Sequence, residues 1–526
     1  MRRTIGVKTM IDSKTELNPG MFRAYDIRTP SDRLAPELSE RLAHASAYYF
    51  RHVLKTNKVI LYRDARLSGA QYLEQGMDVF KSLGFQVLTY PLPSSVCMFY
   101  FSCLQHADAA GIMYGASHNP GRDTGQKIVG PGLRPIAMNC GPGGGLKRIM
   151  ELYLDGTRVE KTSGGCVKPV NYFEKYVNYS MELAGVRPGE LSGLKVLMDF
   201  LMGTAGLEFT YAFDIAGADV TARNLAPNGF FTAGEPNPVI VQSIQPTLEM
   251  LEKGDYRFGV CFDGDGDRMD FLDSKGRQLS PGFNLSVIAP RLKKLFENSF
   301  SGPYAPQFYA DLKANPLAVA ELAGNGFEVH MIRNGHSQIK QALMNNFKSQ
   351  FIGAVEESAH YYLNFPVCAG DGRKGFAATE NTLFYGLLTA KAWLADPEKY
   401  EEMIELQNRT FREREWGYKF PDSNKRALAM KEIEEEFVKL GGEAMTSMAD
   451  GTDLEAVMLR EGLPLVIDGS AKIGREWTQI SQRISQSEEG LARWEVSAGT
   501  EERKIRAVGM IDRIARKFTD SEKYIG

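Results

Sequence analysis

Three times along the chain a short apolar, strand-forming run ends at an aspartate, and a glycine-led run with valine as its fourth residue follows. The opening runs are Val59-Ile60-Leu61-Tyr62-Arg63-Asp64, Val196-Leu197-Met198-Asp199 and Phe308-Tyr309-Ala310-Asp311. After each comes a stretch long enough for a crossover helix, which predicts parallel strands. The second strands start at Gly84-Phe85-Gln86-Val87, Gly217-Ala218-Asp219-Val220 and Gly326-Phe327-Glu328-Val329, each glycine being expected to end the preceding helix. The third strands run through Ala110-Gly111-Ile112-Met113, Phe258-Gly259-Val260-Cys261-Phe262 and Phe351-Ile352-Gly353-Ala354-Val355. Continuous apolar runs of this length belong to parallel strands buried on both faces.

Each third strand then meets an abruptly polar loop: Gly115-Ala116-Ser117-His118-Asn119-Pro120, Asp263-Gly264-Asp265-Gly266-Asp267-Arg268 and Glu356-Glu357-Ser358-Ala359-His360. Open α/β sheets place ligands beyond the carboxyl ends of their strands, where these loops fall. After about Lys391 the threefold pattern stops and long acidic helical stretches begin, such as Lys431-Glu432-Ile433-Glu434-Glu435-Glu436-Phe437. The expected organisation is α/β: three related mixed-sheet domains (1–168, 169–282 and 283–392) and a C-terminal α+β domain (393–526) around a central cleft. The glutamates read as a solvated helix face.

Composition narrows the class. A chain of 526 residues is too long for one core. With 43% hydrophobic and 24% charged residues it is neither disordered nor membrane-embedded in character. No apolar run approaches the ~18 residues of a membrane span, and the opening MRRTIGVKTMIDSK lacks the apolar core of a signal peptide, so a cytoplasmic location is expected. A net charge of −3 gives no general attraction to polyanions. Nucleic acid is therefore not expected as a partner, and any phosphate must be held by locally placed Arg and Lys. The cysteines Cys97, Cys103, Cys140, Cys166, Cys261 and Cys368 form no CxxC pair and read as reduced thiols, with Cys261 and Cys368 in apolar surroundings.

The chemistry lies in the loops. Asp263, Asp265 and Asp267 stand at alternate positions separated by glycines, so their carboxylates can converge on one hard cation, for which Mg²⁺ is the best fit. A calcium EF-hand would need Gly and Glu where Arg268 and Ser274 stand. Arg268 follows directly, able to fork onto a phosphate oxygen. Ser117 lies at a strand end without the Gly-x-Ser-x-Gly elbow of an α/β-hydrolase, and its surroundings also suit a helix N-cap. Downstream, Lys127 is placed either to balance negative charge or, were its pKa lowered by neighbouring cations, to accept a proton. Glu356 can accept hydrogen bonds from two adjacent hydroxyls, with Ser358 as a second polar contact; Glu357 is expected to point elsewhere. His336 is an acid/base or phosphate-ligand candidate.

Taken together, these motifs resemble the α-D-phosphohexomutases, and within them the bacterial phosphomannomutase/phosphoglucomutase group. Phe22-Arg23-Ala24-Tyr25-Asp26-Ile27-Arg28 looks like that group's opening motif, and Ser117 in Ala-Ser-His-Asn-Pro falls on its phosphoserine. Gly234-Glu235-Pro236-Asn237-Pro238 resembles its interdomain motif, while Asp311-Leu312-Lys313 and Gly335-His336-Ser337 match segments whose Lys and His face the substrate. The resemblance implies a mutase interconverting hexose 1-phosphate and hexose 6-phosphate, of mannose or glucose, through a phosphoserine enzyme and a hexose 1,6-bisphosphate. Phosphoglucosamine mutase, or a non-catalytic paralogue that binds a sugar phosphate, is the alternative. It implies Ser117, His118, Lys127, Arg268 and His336 as catalytic groups, and Mg²⁺ held by Asp263, Asp265, Asp267 and Ser117. Tyr25, Arg28, Lys313, Glu356 and Ser358 would bind substrate, in a monomer or weak homodimer.

The C-terminal domain departs from the pattern. The family's phosphate loop is matched only loosely by Glu495-Val496-Ser497-Ala498-Gly499-Thr500-Glu501-Glu502-Arg503-Lys504-Ile505-Arg506, where Glu495 replaces an expected arginine and Glu502 the usual proline. Ser497, Gly499, Thr500 and Arg503 or Arg506 are the residues left to form an anion nest there.

Overall fold

The computed structural model describes residues 16–525 except 368, 370, 449, 486, 487 and 489. The N-terminal opening and Cys368 lie outside the described residues. The chain divides into two compact units: Met1–Gln278 with His336–Met344 and His360–Leu394, and Leu279–Gly335 with Asn345–Ala359 and Ala395–Gly526.

The threefold pattern folds as three copies of one parallel core. In the first unit, Lys58–Arg63 is flanked by parallel strands Gln86–Pro93 and Ala110–Tyr114. Lys195–Asp199 is flanked in the same way by Asp219–Arg223 and Phe258–Phe262. In the second unit, Gln307–Asp311 lies between Glu328–Ile332 and Phe351–Glu356, again parallel. Every copy thus has its first strand in the middle, and the apolar run fills a position buried from both faces.

Antiparallel strands complete the mixed sheets of the first unit. Asp123–Gly130 and Ile27–Pro30 extend the first, and Met269–Asp273 the second. His360–Pro366 and Phe376–Glu380 pair antiparallel in the same unit.

The glycines that open the second strands share one conformation. Gly84, Gly217 and Gly326 have φ of +81°, +82° and +82°. Each follows a helix, and in the first two copies the next amide closes a bond back to the last turn, Phe85 N to Phe80 O and Ala218 N to Phe213 O, both 3.0 Å. An L side chain at these left-handed positions would be strained, so glycine fixes where each helix stops.

The C-terminal part of the second unit is α+β. Antiparallel strands in the order Glu443–Ser447, Asp453–Glu461, Thr478–Ile484, Leu491–Ala498 and Phe411–Lys419 form its sheet, with Tyr524–Ile525 at the edge. Helices Ser423–Lys439 and Glu501–Ala515 bury Ile433, Phe437, Met510, Ile511 and Ile514 with Trp494 and Ile480. Ile433 and Phe437 are the apolar stripe of the glutamate-rich helix, whose acids stay at least partly exposed. Among the described residues no helix is long and apolar enough to cross a membrane.

Candidate active site

In the first unit the Ser117 and aspartate loops are built against each other. A Cβ on Gly264 would lie 2.6 Å from the Ser117 carbonyl oxygen, so only glycine permits this approach of backbone to backbone. Ser117 has φ of +50°, a costly conformation for serine. It is held by Arg66, whose guanidinium donates to the carbonyls of Ser117 (2.8 Å), Asn119 (2.6 Å) and Pro120 (2.5 Å). Arg66 in turn pairs with Asp64 at 3.0 Å, both side chains fully buried, and Asp64 also accepts from the Ala116 amide. Arg28 donates to Asn119 Oδ1 (2.6 Å) and to Asp26 (2.8 Å).

The aspartate loop is equally fixed. The Val96 amide donates to the Asp265 carbonyl at 2.9 Å, and the Thr382 hydroxyl to the Gly266 carbonyl at 2.8 Å. Ser117 Oγ donates to Asp263 Oδ2 at 2.7 Å and lies 3.2 Å from His118 Nδ1. Asp263 Oδ1 accepts from the amides of Gly266 and Arg268. Lys127 Nζ lies 2.7 Å from Asp265 Oδ2 and 2.5 Å from Asp267 Oδ2.

Ligand atoms of the three aspartates lie within 4.8 Å of one another, all buried. Asp265 Oδ1 and Asp267 Oδ1 have no hydrogen-bond partner among the described residues. Two orphaned carboxylate oxygens in a buried cluster of hard donors fit a divalent cation such as Mg²⁺.

Electrostatics follow from this crowding. Burial, then repulsion from Asp265 and Asp267, pushes the Asp263 carboxyl well above its ordinary range. Burial acts on Asp267 in the same sense, but Lys127 and Arg268 outweigh it and leave that carboxyl below its usual value. Burial disfavours the Lys127 ammonium, yet Asp265 and Asp267 dominate and hold it well above the lysine range. The neighbours of Lys127 are thus acidic: its charge balances carboxylates, and the lowered pKa that a proton acceptor would need is not produced. Burial, reinforced by surrounding cations, keeps His118 and His336 neutral, their pKa values well below the usual one. His336 packs edge-on to Tyr25 at 5.8 Å between ring centroids.

Several groups here escape sequence reading. Arg268 Nε donates to His360 Nε2 at 3.0 Å, which leaves the His360 proton on Nδ1, 3.7 Å from Asp267 and 4.0 Å from Glu380. Lys340 donates to Glu380 at 2.9 Å and to the Tyr100 hydroxyl at 3.2 Å. No motif marks Glu380, Lys340 or Tyr100, because their partners are remote in sequence.

The second unit holds the third loop. Glu356 Oε1, buried, accepts from the Gly335 amide at 3.1 Å and from Asn334 Nδ2 at 3.3 Å. Ser358 is partly exposed at the tip beyond it. Glu357, read as pointing elsewhere, is anchored: it accepts from Ser280 Oγ at 3.1 Å and from Arg412 at 3.0 Å. Arg412 also donates to Glu495 at 2.6 Å, so the acid that replaces an expected arginine is neutralised from a neighbouring strand. Lys313, half-buried, lies near Glu415, Glu495 and Asp311; desolvation lowers its pKa, but these acids outweigh it and raise it.

The residues expected to form a C-terminal anion nest have partners of their own. The Gly499 amide donates to the Trp477 carbonyl, and Thr500 caps its helix by accepting from the Arg503 amide. Ser497 is a buried strand residue opposite Gln479 and Arg412. Arg503 pairs with Glu476 and Glu461, and Arg506 with Glu461, while Glu501 and Glu502 occupy the first helical turn. Gly499, Thr500, Arg503 and Arg506 thus each have a partner within their own domain.

Comparison with known proteins bears on both units. Residues 19–138 match the family model for phosphoglucomutase/phosphomannomutase, alpha/beta/alpha domain I, and residues 172–276 that for domain II. A phosphomannomutase of Escherichia coli (strain K12) is 28% identical over 354 residues, covering 66% of this chain and 74% of the relative. A phosphoglucosamine mutase of Bacillus pumilus is 25% identical over 417 residues, covering 77% of this chain and 86% of the relative. The fold is similar to a crystal structure of a phosphoglucomutase/phosphomannomutase family protein from Burkholderia thailandensis. That match has a TM-score of 0.74 at 18% identity, over 97% of this chain and 100% of the other.

Proposed function

We propose a reaction from one premise: the chain belongs to the α-D-phosphohexomutase superfamily and is an intramolecular phosphotransferase of that class. It interconverts the 1-phosphate and 6-phosphate of a hexose, mannose or glucose. Ser117 carries the phosphoryl group. The free hydroxyl of the bound hexose monophosphate attacks that phosphorus as the bond to Ser117 Oγ breaks, giving a hexose 1,6-bisphosphate. After reorientation of the bisphosphate, Ser117 Oγ takes the other phosphoryl group, and the isomeric monophosphate leaves.

Asp263, Asp265 and Asp267, with Ser117, would hold a Mg²⁺, which supplies positive charge opposite the phosphoryl oxygens when bound. The remaining work is positioning and charge balance, which phosphoryl transfer needs more than covalent help. Arg66 holds the Ser117 backbone, Lys127 keeps Asp265 and Asp267 neutralised, and Arg268 faces the same loop. His118 and His336 would exchange protons with the attacking and leaving oxygens. Arg28 orders the serine loop through Asn119, while Tyr25, Lys313, Glu356 and Ser358 contact the substrate.

The observation that carries this reading is the 2.7 Å hydrogen bond from Ser117 Oγ to Asp263 inside a buried triple-aspartate loop. Intact-mass spectrometry tests it: the chain, treated with glucose 1,6-bisphosphate and Mg²⁺, should gain one phosphate that maps to Ser117. A chain that stays unphosphorylated under those conditions is a non-catalytic paralogue instead.

A further inference from the structure

The three copies of the parallel core end their central strands in the same buried acid: Asp64, Asp199 and Asp311, each fully buried. Asp64 spends both oxygens on the Arg66 and Ala116 amides and the Arg66 guanidinium. Asp199 does likewise with the Leu201 amide, Asn224, Arg223 and Thr247. These two are satisfied struts. Asp311 is different: Oδ2 accepts from Asn334 Nδ2 at 2.6 Å, and Oδ1 has no hydrogen-bond partner among the described residues. A buried carboxylate oxygen left unpaired is costly, and a protein retains one where it has another use.

What lies on the far side of Asn334 points to that use. The same Nδ2 donates to Glu356 Oε1 at 3.3 Å, so one amide nitrogen bridges two buried carboxylates. We propose that Asp311 is a positioning residue, which holds Glu356 through the Asn334 amide and by its own protonation sets how tightly Glu356 takes the substrate hydroxyls. This rests on the reading of Glu356 as the hydroxyl acceptor.

Burial is the main force on the Asp311 proton and pushes the carboxyl up to about 7; Lys313 opposes it, while Glu356 and Glu357 add to it. The charged groups facing it are Lys313 beyond its own strand, Glu356 and Glu357 beyond the neighbouring strand, and Arg412 from the C-terminal sheet. Above neutrality the ionised Asp311 grips Asn334 and makes Glu356 a stronger acceptor beside a second negative charge. Below neutrality it is protonated, the grip slackens, and hydroxyl binding weakens.

The test is KM for the hexose 1-phosphate turned over, from pH 5.5 to 8.5, in the wild type, Asp311→Asn, Asp311→Glu, Glu356→Gln and the Asp311→Asn/Glu356→Gln double variant. In the wild type KM should fall several-fold as pH rises through about 7. Asp311→Asn should remove that step, leave KM at the low-pH level and keep kcat within about twofold. Asp311→Glu should restore part of the step, and the double variant should bind no worse than Glu356→Gln alone. A wild-type profile without the step, a step that survives Asp311→Asn, or effects that multiply in the double variant would each overturn the proposal. If Glu356→Gln raises KM while Asp311→Asn changes nothing, only the relay is wrong. If Glu356→Gln leaves KM unchanged, the assignment of Glu356 is wrong and the relay falls with it.

Discussion

Lys127 and Asp267 form a buried ion pair at 2.5 Å, and the same ammonium reaches Asp265 at 2.7 Å. The lysine and a divalent cation are therefore rivals for the same negative charge. Removing one partner of a buried pair leaves the other uncompensated, at a cost of roughly 3–5 kcal/mol. Lys127→Met is expected to lower Tm in EDTA and to show a larger Mg²⁺-dependent rise in Tm than the wild type, because the cation then meets no competitor. A variant with unchanged Tm and unchanged Mg²⁺ response would show that the pair carries no such weight.

Ser117→Ala removes the phosphoryl acceptor and one hydrogen bond to Asp263. Mutase activity should drop by on the order of a thousandfold or more, while the lost hydrogen bond costs only about 1 kcal/mol of stability. Turnover assays alongside thermal unfolding separate the two effects, and near-normal turnover would remove Ser117 from the reaction.

Glu208 gives a stability effect with a defined sign. It is buried in the helix Gly206–Ile215, and burial pushes its carboxyl from 4.5 up to about 8, with Ser95 opposing. The folded state therefore keeps a proton that the unfolded chain releases. Stability from this group is full below about 4.5 and is lost as pH rises through about 8. Glu208→Gln should match the wild type near pH 4.5 and exceed it by on the order of 5 kcal/mol at pH 9. Urea unfolding at the two pH values measures the difference, and parallel losses in both proteins would reject the assignment.

How much of this was legible in sequence depends on range. The parallel cores, the glycine helix ends and the aspartate loop are written in runs of a few residues, and periodicity and turn chemistry exposed them. Glu380 and Lys340, by contrast, are ordinary charged residues whose meaning comes from His360 and Tyr100, 20 and 240 positions away. The surroundings of the C-terminal loop are hidden for the same reason. Gly499, Thr500 and Arg506 have the residue types of an anion nest, but that the Gly499 amide meets the Trp477 carbonyl and Arg506 the Glu461 carboxylate is not written in any short run.

Arg412 should matter more than its anonymity in the sequence suggests. It neutralises Glu357 and Glu495, two acids almost wholly buried. Arg412→Ala should cost roughly 3–5 kcal/mol, and Glu495→Gln on top of it should recover part of the loss. Arg412→Lys should not rescue, because one ammonium cannot reproduce the fork that serves both carboxylates. Equal stability of Arg412→Lys and the wild type would argue against that geometry.

The shared left-handed glycine means that the three cores end the helix before their second strand in the same way. Substitution at the shared glycines should therefore cost stability of the fold, whereas substitution at the strand tips, where the copies have drifted apart into serine, aspartate and glutamate loops, should cost activity and leave the frame standing. A new specificity would arise most readily by exchanging a tip while its frame is left untouched.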